Sequence, residues 1–296
     1  YMKVPKKVIR GLHGNYRSDE MVELKIASDI TLSAANRWVD VKTSVDNTAL
    51  DHRLKLKLPT GIDTNEYYAN QAFYFSKRET GFDRNTGEWK EPDLPEKSFE
   101  SIVMKRDKVG DGLAFISKAG LHECTALDDK DCTILITLLR SFSKTFLTDG
   151  EPDGQLQQLL EYRYRLLPVS SSDSFADIVR CKDCLQAGVR SVSSRVMETG
   201  LSLERSSAFS LTGDNVVMSL MKRPEDQESN SVIVRVSNYS DDCSTATLSC
   251  MYSIEKAYET NMLEENLTTA NSDGNTLKIE LKPWEIKTYR IIFKNL

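Results

Sequence analysis

Hydrophobic and polar positions alternate in two neighbouring segments of this chain, which are separated by a short polar run. The first segment covers Val39–Val45, and its alternation breaks at Asp46 and Asn47. The second covers Leu54–Leu58 and ends at a proline and a glycine. A period of two gives a strand one buried and one solvated face, so the pattern predicts two β-strands around a polar corner.

Short strand-like runs recur along the whole chain, whereas helical periodicity is scarce. The other predicted strands are Val22–Ile26, Ala72–Phe75, Ser101–Met104, Leu113–Ser117, Thr133–Leu139, Leu159–Leu166, Val216–Met221, Val232–Val236, Ala246–Met251, Leu277–Leu281 and Thr288–Phe293. One segment, Ser174–Ala187, has the spacing of a short amphipathic helix. Many short strands with turn residues between them predict an all-β fold of antiparallel sandwiches.

The strand pattern is interrupted once, by a serine-rich composition between residues 168 and 210. It restarts after Asp214 and continues to the end of the chain. We therefore predict a large β-sandwich domain over residues 1–200 and a small one over residues 201–296.

Composition and charge narrow the classes of partner. The 296 residues carry a formal net charge of −5, without the concentrated basic face that nucleic-acid binding usually needs. No apolar run approaches the roughly 20 residues that span a bilayer. We therefore expect neither a nucleic acid nor a membrane as a partner.

The six cysteines favour a reducing compartment. Cys181 and Cys184 have zinc-like spacing, but no second pair of cysteines or histidines completes four ligands. We expect reduced thiols, a cytoplasmic protein, and neither a metal site nor a cofactor in this segment.

The polar corner between the two opening strands contains more charged and hydrogen-bonding side chains than a turn requires, namely Asp46, Asn47, Asp51, His52 and Arg53. A metal site is conceivable there, but neighbouring strand residues such as Asp51 and His52 point to opposite faces. A second interpretation is a hydrogen-bonded corner in which Asp46 or Asp51 holds Arg53. A third is an edge contact to another domain or to its sugar.

An aromatic cluster precedes an irregular segment, which we expect to form a long surface loop over Ser76–Lys97 with Trp89 packed beneath it. The cluster comprises Tyr67, Tyr68, Phe73, Tyr74 and Phe75. Aromatic faces stack on sugars, but the alternation of Phe73 and Phe75 favours core positions. A sugar platform remains the alternative.

Several motifs in order along the chain resemble glycoside hydrolase family 38, the α-mannosidases, in its bacterial branch. The resemblance lies in the β-rich region that follows the catalytic domain of that family. The motifs are Val39–Gly61, Gly120–Cys124, Ile134–Ser141, Gly154–Gln155, Glu161–Pro168, Asn215–Asp226, Ile233–Asn238 and Leu281–Thr288. Cys124 departs from the family pattern, which has a tyrosine at that position.

This resemblance implies a large supersandwich of the galactose-mutarotase type followed by a small immunoglobulin-like sandwich. It also implies a parent zinc-dependent, retaining α-mannosidase whose catalytic aspartate and zinc ligands lie in an N-terminal domain. The only histidines here are His13, His52 and His122, each isolated, so we expect no catalytic residue in this segment.

The implied role is accessory: the β region would brace the catalytic domain and line the rim of its substrate cleft. Arg140 is the first rim candidate, although an internal salt bridge is the ordinary role for it, and Asp51, His52 and Arg53 are the further rim candidates. The implied partners are the chain's own N-terminal catalytic domain, a mannose-containing carbohydrate and a homo-oligomeric copy. A stand-alone carbohydrate-binding module or a structural interaction module is the alternative.

Overall fold

The structure is a computed structural model that describes residues 1–83, 85–144, 152–191 and 207–294. The chain divides into two compact units, Tyr1–Ser172 and Asp173–Leu296. The domain boundary predicted at residue 200 lies outside the described residues. The helix predicted before that boundary belongs to the second unit.

The first unit is built from two antiparallel sheets and a separate hairpin. Its strands are β1 (Met2–Pro5), β2 (Val8–Gly11), β3 (Gly14–Arg17), β4 (Met21–Leu32), β5 (Val39–Asp46), β6 (Arg53–Leu58), β7 (Glu66–Gln71), β8 (Tyr74–Glu79), β9 (Lys97–Ser98), β10 (Ile102–Arg106), β11 (Gly112–Ser117), β12 (Glu123–Ala126), β13 (Ile134–Arg140) and β14 (Leu159–Val169). The eight-stranded sheet has the order β1-β4-β5-β14-β11-β10-β7-β8, and the four-stranded sheet has the order β6-β13-β12-β9. Strands β2 and β3 pair only with each other, and a 3-10 turn covers Pro152–Gln155.

The core of this unit lies between the two sheets. Val41 and Phe115 of the large sheet pack in one apolar cluster with Cys124 and Ile136 of the small sheet. The alternation of β5 predicted this arrangement, because Val41 and Val45 are both buried on its inner face.

One predicted strand in this unit was wrong. Ala72–Phe75 spans the turn of the β7–β8 hairpin, whose last paired residues are Gln71 and Tyr74. Phe73 has a φ of 61°, a left-handed backbone that ends a strand. An aromatic run has high strand propensity, and the turn overrides it here.

The long loop between β8 and β9 is present, but its tryptophan is not packed beneath it. Trp89 is 58% exposed. The expectation of a buried Trp89 was therefore wrong.

The second unit is a smaller sandwich of two antiparallel sheets. Its strands are β15 (Phe209–Thr212), β16 (Val216–Lys222), β17 (Ser231–Asn238), β18 (Ser244–Cys250), β19 (Ile254–Thr260), β20 (Asn266–Thr269), β21 (Ser272–Asp273), β22 (Thr276–Leu281) and β23 (Ile286–Phe293). One sheet has the order β15-β18-β22-β21, and the other has the order β16-β17-β23-β19-β20. Leu248 and Ile279 of the first sheet pack against Val234 and Ile291 of the second.

Helix α1, Phe175–Ala187, matches the predicted helix. Ser174 caps its first turn, since the Ser174 Oγ accepts from the Asp177 N–H at 3.1 Å and the Asp177 carboxylate accepts from the Ser174 N–H at 3.0 Å. This reciprocal pair is a capping box. Ile178 and Val179 are buried, and Arg180 binds three backbone carbonyls around the start of β16.

These elements confirm the all-β fold class, a large antiparallel sandwich followed in sequence by a small one. Within the described part of the chain, no helix combines the length and apolar character that crossing a membrane would take.

Candidate functional site

The predicted site residues meet at one corner of the first unit, where β6 begins and β13 ends. His52 and Ser141 join the two strands there. The Ser141 N–H donates to the His52 carbonyl at 2.8 Å, and the Ser141 Oγ lies 3.1 Å from the His52 Nδ1. The strand pairing therefore brings together residues that are 89 positions apart in the sequence.

Asp51 serves as the anchor of this corner. Its Oδ1 accepts from the Ser143 N–H at 2.9 Å and from the Gln155 Nε2 at 2.8 Å, and its own N–H donates to the Gln155 Oε1 at 2.8 Å. Burial alone would raise the pKa of Asp51, but the hydrogen bonds from Gln155 and Ser143 outweigh it and lower that pKa. An ionised carboxylate with these partners positions the chain around it.

Arg53 is not held by Asp46 or Asp51, so that prediction was wrong. Its guanidinium pairs with the Glu96 carboxylate, and the Glu123 carboxylate lies 3.8 Å from its Nε. Glu96 comes from the long β8–β9 loop, which spacing along the sequence did not connect to β6.

Glu96 also binds a second cation, since the Lys55 Nζ lies 2.7 Å from its Oε1. Burial opposes ionisation of Glu96, but the hydrogen bond and the charge of Lys55 lower its pKa overall. The carboxylate therefore stays charged between Arg53 and Lys55 at neutral pH.

Arg140 is exposed at the end of β13, directly opposite Arg53 in the strand register. Among the described residues it forms no ion pair, so the internal salt bridge considered from the sequence is absent from this part of the chain. Within the described ranges its guanidinium forms no hydrogen bond either, so its N–H donors can serve a further partner.

Two further arginines reach the corner from the β2–β3 hairpin, and sequence reasoning missed both. The Arg17 Nη1 donates to the Asp51 carbonyl at 2.7 Å, and the Arg10 Nη2 donates to the Ser143 Oγ at 2.9 Å. No local sequence pattern predicted this contact, because the β2–β3 hairpin pairs with no other described strand that would fix its position. We call Arg10, Arg17, Arg53 and Arg140 the arginine corner.

His52 lies within this cationic surrounding. Burial lowers the pKa of His52, and the charge of Arg17 lowers it further, while Asp51 acts in the opposite direction. The imidazole is therefore neutral at pH 7. Its buried Nε2 has no hydrogen-bond partner among the described residues.

The aromatic cluster does not form one sugar platform. Tyr67 and Phe75 are 2% and 3% exposed and belong to the interior, as the alternation favoured for Phe75. Phe73 is half-buried in the hairpin turn, which corrects the expectation that it is a core residue. Tyr74 is exposed, and Tyr68 is half-buried on the other face of β7 from Tyr67.

The arginine corner can bind oxygen ligands through charge-assisted hydrogen bonds. The carboxylates around it are each engaged with a cation or an amide, as for Glu96 and Asp51. Within the ranges that the structure describes, no group of three or more His, Cys, Asp or Glu side chains is placed to hold a metal ion. The geometry thus supports recognition of a ligand at an edge.

Comparison with known proteins finds similarity to one family. Residues 215–289 match the family model for the glycosyl hydrolases family 38 C-terminal β-sandwich domain. A curated protein of Halalkalibacterium halodurans, provisionally named a mannosylglycerate hydrolase, is 23% identical over 282 residues. That match covers 93% of this chain and 29% of the relative, so the chain spans less than a third of the relative's length.

Two solved structures share the fold of nearly the whole chain. A glycosyl hydrolase family 38 protein from Enterococcus faecalis has a TM-score of 0.80 at 20% identity, over 98% of this chain and 34% of that protein. An alpha-mannosidase from Enterococcus faecalis V583 has a TM-score of 0.81 at 21% identity, over 98% of this chain and 32% of that protein. The resemblance to family 38 found in the sequence is confirmed.

Proposed function

Residues 215–289 match the glycosyl hydrolases family 38 C-terminal β-sandwich domain, and on that premise we propose that this chain is the accessory β region of a retaining α-mannosidase-like hydrolase. It braces a catalytic domain in a longer protein and lines the rim of the substrate cleft. The observation that carries the proposal is the fold likeness over 98% of this chain to family 38 proteins of which it spans only about a third.

The proposed bond is an α-mannosidic bond in a mannose-containing carbohydrate. The names of the relatives support this substrate class, since one is an alpha-mannosidase and another a mannosylglycerate hydrolase. Both names describe glycosidases that act on mannosides, so the longer protein belongs to the same reaction class in this proposal.

The arginine corner is the proposed rim of the cleft. Arg140 offers an exposed guanidinium with no ion pair in the described residues, and Arg53 stands opposite it in the register. His52 and Asp51 hold the backbone of this edge in place through Ser141 and Ser143. In this assignment Arg140 touches the sugar, and the others position it.

Zinc is part of the proposal for the longer protein alone. The residues described here offer no set of three His, Cys, Asp or Glu side chains that fits a metal ion. These residues do not fit zinc, so the proposed zinc ligands belong to the other part of the longer protein.

The cytoplasm is the proposed location, and a homo-oligomer is the proposed assembly. All six cysteines are free, which suits a reducing compartment. Sedimentation velocity on the longer protein measures the assembly directly.

The proposal is tested by hydrolysis of 4-nitrophenyl α-mannopyranoside, with added zinc and again with a chelator. The longer protein should hydrolyse it, whereas this chain alone should give no turnover in either condition. Zinc-dependent turnover by this chain alone would overturn the accessory role.

The rim assignment is tested with Arg140→Ala in the longer protein. Loss of a charge-assisted hydrogen bond should raise KM about tenfold without lowering the unfolding midpoint. Arg163→Ala, an exposed arginine on β14, is the matched control and should leave KM unchanged. Equal kinetics for the two variants would remove Arg140 from the rim.

A further inference from the structure

A cleft of about 810 Å³ lies in the first unit, where the β7–β8 hairpin meets the β8–β9 loop. We call it the β8 cleft. It is lined by Tyr67, Arg78, Glu79, Thr80, Gly81, Phe82, Asp83, Asp93, Lys97 and Ser98. Its volume falls within the range of roughly 300–1,000 Å³ that small-molecule sites occupy.

One wall of the cleft is held by the sheet. Tyr67 is 2% exposed and pairs in register with Arg78. The Arg78 Nη1 donates to the Ser98 carbonyl at 2.7 Å. Burial raises the pKa of the Tyr67 hydroxyl, and the nearby Arg78 side chain opposes this rise. Since a guanidinium has five N–H donors, these contacts fix Arg78 and leave donors for a ligand.

The opposite wall is the start of the loop, and it too is held in place. The Gly81 N–H donates to the Ala126 carbonyl at 2.9 Å, and the Asp83 N–H donates to the Asp93 Oδ2 at 2.9 Å. The Asp93 Oδ1 pairs with the Lys97 ammonium, and this hydrogen bond, with that from Asp83, lowers the pKa of Asp93. A wall tied at these points loses little entropy when a ligand binds.

The charges of the lining select the class of ligand. Two cations, Arg78 and Lys97, face three carboxylates, Glu79, Asp83 and Asp93. The carboxylates disfavour a phosphate or another polyanion. They are not placed to hold a metal ion together, since no group of three or more His, Cys, Asp or Glu side chains in the described residues is so arranged. Close alternation of donors and acceptors without a dominant charge suits a neutral ligand that carries many hydroxyl groups.

An aromatic ring completes the lining. Phe82 is 39% exposed, so part of its ring faces solvent beside the carboxylates. A sugar ring has an apolar C–H face and a rim of hydroxyls, which matches one aromatic surface next to several polar side chains. A purely apolar ligand would find only this one exposed ring in the cleft.

We propose that the β8 cleft binds a neutral saccharide. In this site Asp83 accepts from sugar hydroxyls, Arg78 donates to them, and the Phe82 ring packs on the sugar face. Of the aromatic cluster that the sequence offered for a sugar platform, Tyr67 lines the cleft and Tyr68 does not. Binding here requires no hydrolysis, so the inference stands or falls apart from the proposed function.

The test is isothermal titration calorimetry of this chain with methyl α-mannopyranoside and methyl α-glucopyranoside, each to tens of millimolar. Phe82→Ala and Asp83→Asn should each weaken binding about tenfold, because each removes one principal contact. Trp89→Ala and Glu91→Gln are matched controls on the same loop, outside the lining. They should change the Kd less than about twofold.

Circular dichroism melts of all four variants establish that each is folded, so lost binding reports on the cleft. Proton–nitrogen correlation spectra should show shifts for Gly81 and Lys97 on titration. Absence of heat and of shifts with both glycosides would overturn the inference. A loss of binding in Trp89→Ala that equals the loss in Phe82→Ala would overturn it too, because binding would then lie on the exposed loop.

Discussion

Arg140 on β13 and Arg53 on β6 occupy directly opposed positions in an antiparallel pair of strands. Glu96 pairs with Arg53 but is shared with Lys55, so it offsets the charge of Arg53 only in part, whereas Arg140 forms no ion pair within the described ranges. Like charges directly opposite each other destabilise a sheet. This end of the sheet therefore carries a cost in stability, which is expected where a surface is shaped for binding.

Replacement of Arg140 should remove this repulsion and raise the free energy of unfolding. Arg140→Glu should raise the free energy of unfolding by about 0.2–1 kcal/mol, since it turns the repulsion from Arg53 into attraction. Arg140→Gln should give an intermediate value, because it only removes the repulsion. Urea unfolding at low and high salt measures both, and the gain should shrink in salt. A less stable Arg140→Glu variant would contradict the repulsion.

Lys105 on β10 is buried without a hydrogen bond from its ammonium group to any described residue. It is 0% exposed, and its Nζ has no hydrogen-bond partner in the described part of the protein. Lys105→Met, of similar length, should therefore raise the free energy of unfolding at pH 7 by about 1–3 kcal/mol. Lys108→Met, at an exposed position, is the control and should be nearly neutral.

The same variant gives a pH-dependent signature. Burial lowers the pKa of Lys105, while the charges of Cys132 and Asp129 oppose it in part. Below the folded-state pKa, Lys105 is protonated in both the folded and the unfolded protein, and burial of its charge then has its full destabilising effect. Between the folded pKa and 10.5, the ordinary lysine value, the unfolded chain binds the extra proton, so the wild type gains stability as pH rises. The advantage of Lys105→Met should therefore shrink towards pH 10.5; a constant advantage would contradict this account.

Gly112 should tolerate no side chain. A Cβ at this position would lie 2.0 Å from the Lys105 carbonyl oxygen, a backbone atom that cannot move away alone. Gly112→Ala should lower the free energy of unfolding by about 1–3 kcal/mol or more. Gly87→Ala, where a Cβ meets nothing within 4 Å, is the control. Equal unfolding midpoints for the two variants would show that β10 and β11 adjust freely.

Arg180 should determine whether helix α1 stays docked on its sandwich. Its Nη2 donates to the carbonyls of Gly213, Asp214 and Val216 at 2.8, 3.1 and 3.0 Å. Arg180→Ala should lower the stability of the second unit by about 1–3 kcal/mol and speed amide exchange across α1. Arg190→Ala, an exposed arginine just after the helix, should change neither. Unchanged exchange in Arg180→Ala would mean that the apolar face alone holds the helix.

Regular alternation predicted most of the strands correctly, because burial of one face enforces it. Val39–Val45 became β5, and Ile134–Arg140 contains the predicted Thr133–Leu139 run almost entirely. Helix α1 was predicted from spacing that the capping pair Ser174 and Asp177 reinforces. Strands β1–β3, β7–β9, β12, β15 and β19–β21 were not predicted. For β1–β3 the reason is that none of their residues is buried, which leaves no alternation to detect.

The sequence singled out Arg53 and Arg140 of the arginine corner as candidates, but it did not indicate that they meet or which residues they pair with. Neighbours along the chain suggested Asp51 for Arg53, whereas the partner is Glu96, 43 positions away on an irregular loop. The path of such a loop depends on contacts that no local pattern encodes. The arginines of the β2–β3 hairpin were missed for the same reason.

Because Arg180 donates to the backbone carbonyls of Gly213, Asp214 and Val216, helix α1 belongs with the strands of the second unit. A gene fusion or truncation made at the composition break near residue 200 would separate the helix from these carbonyls. A cut before Ser174 keeps the cap, the helix and the carbonyls together. A recombination that transfers this unit between proteins should therefore place its junction before Ser174.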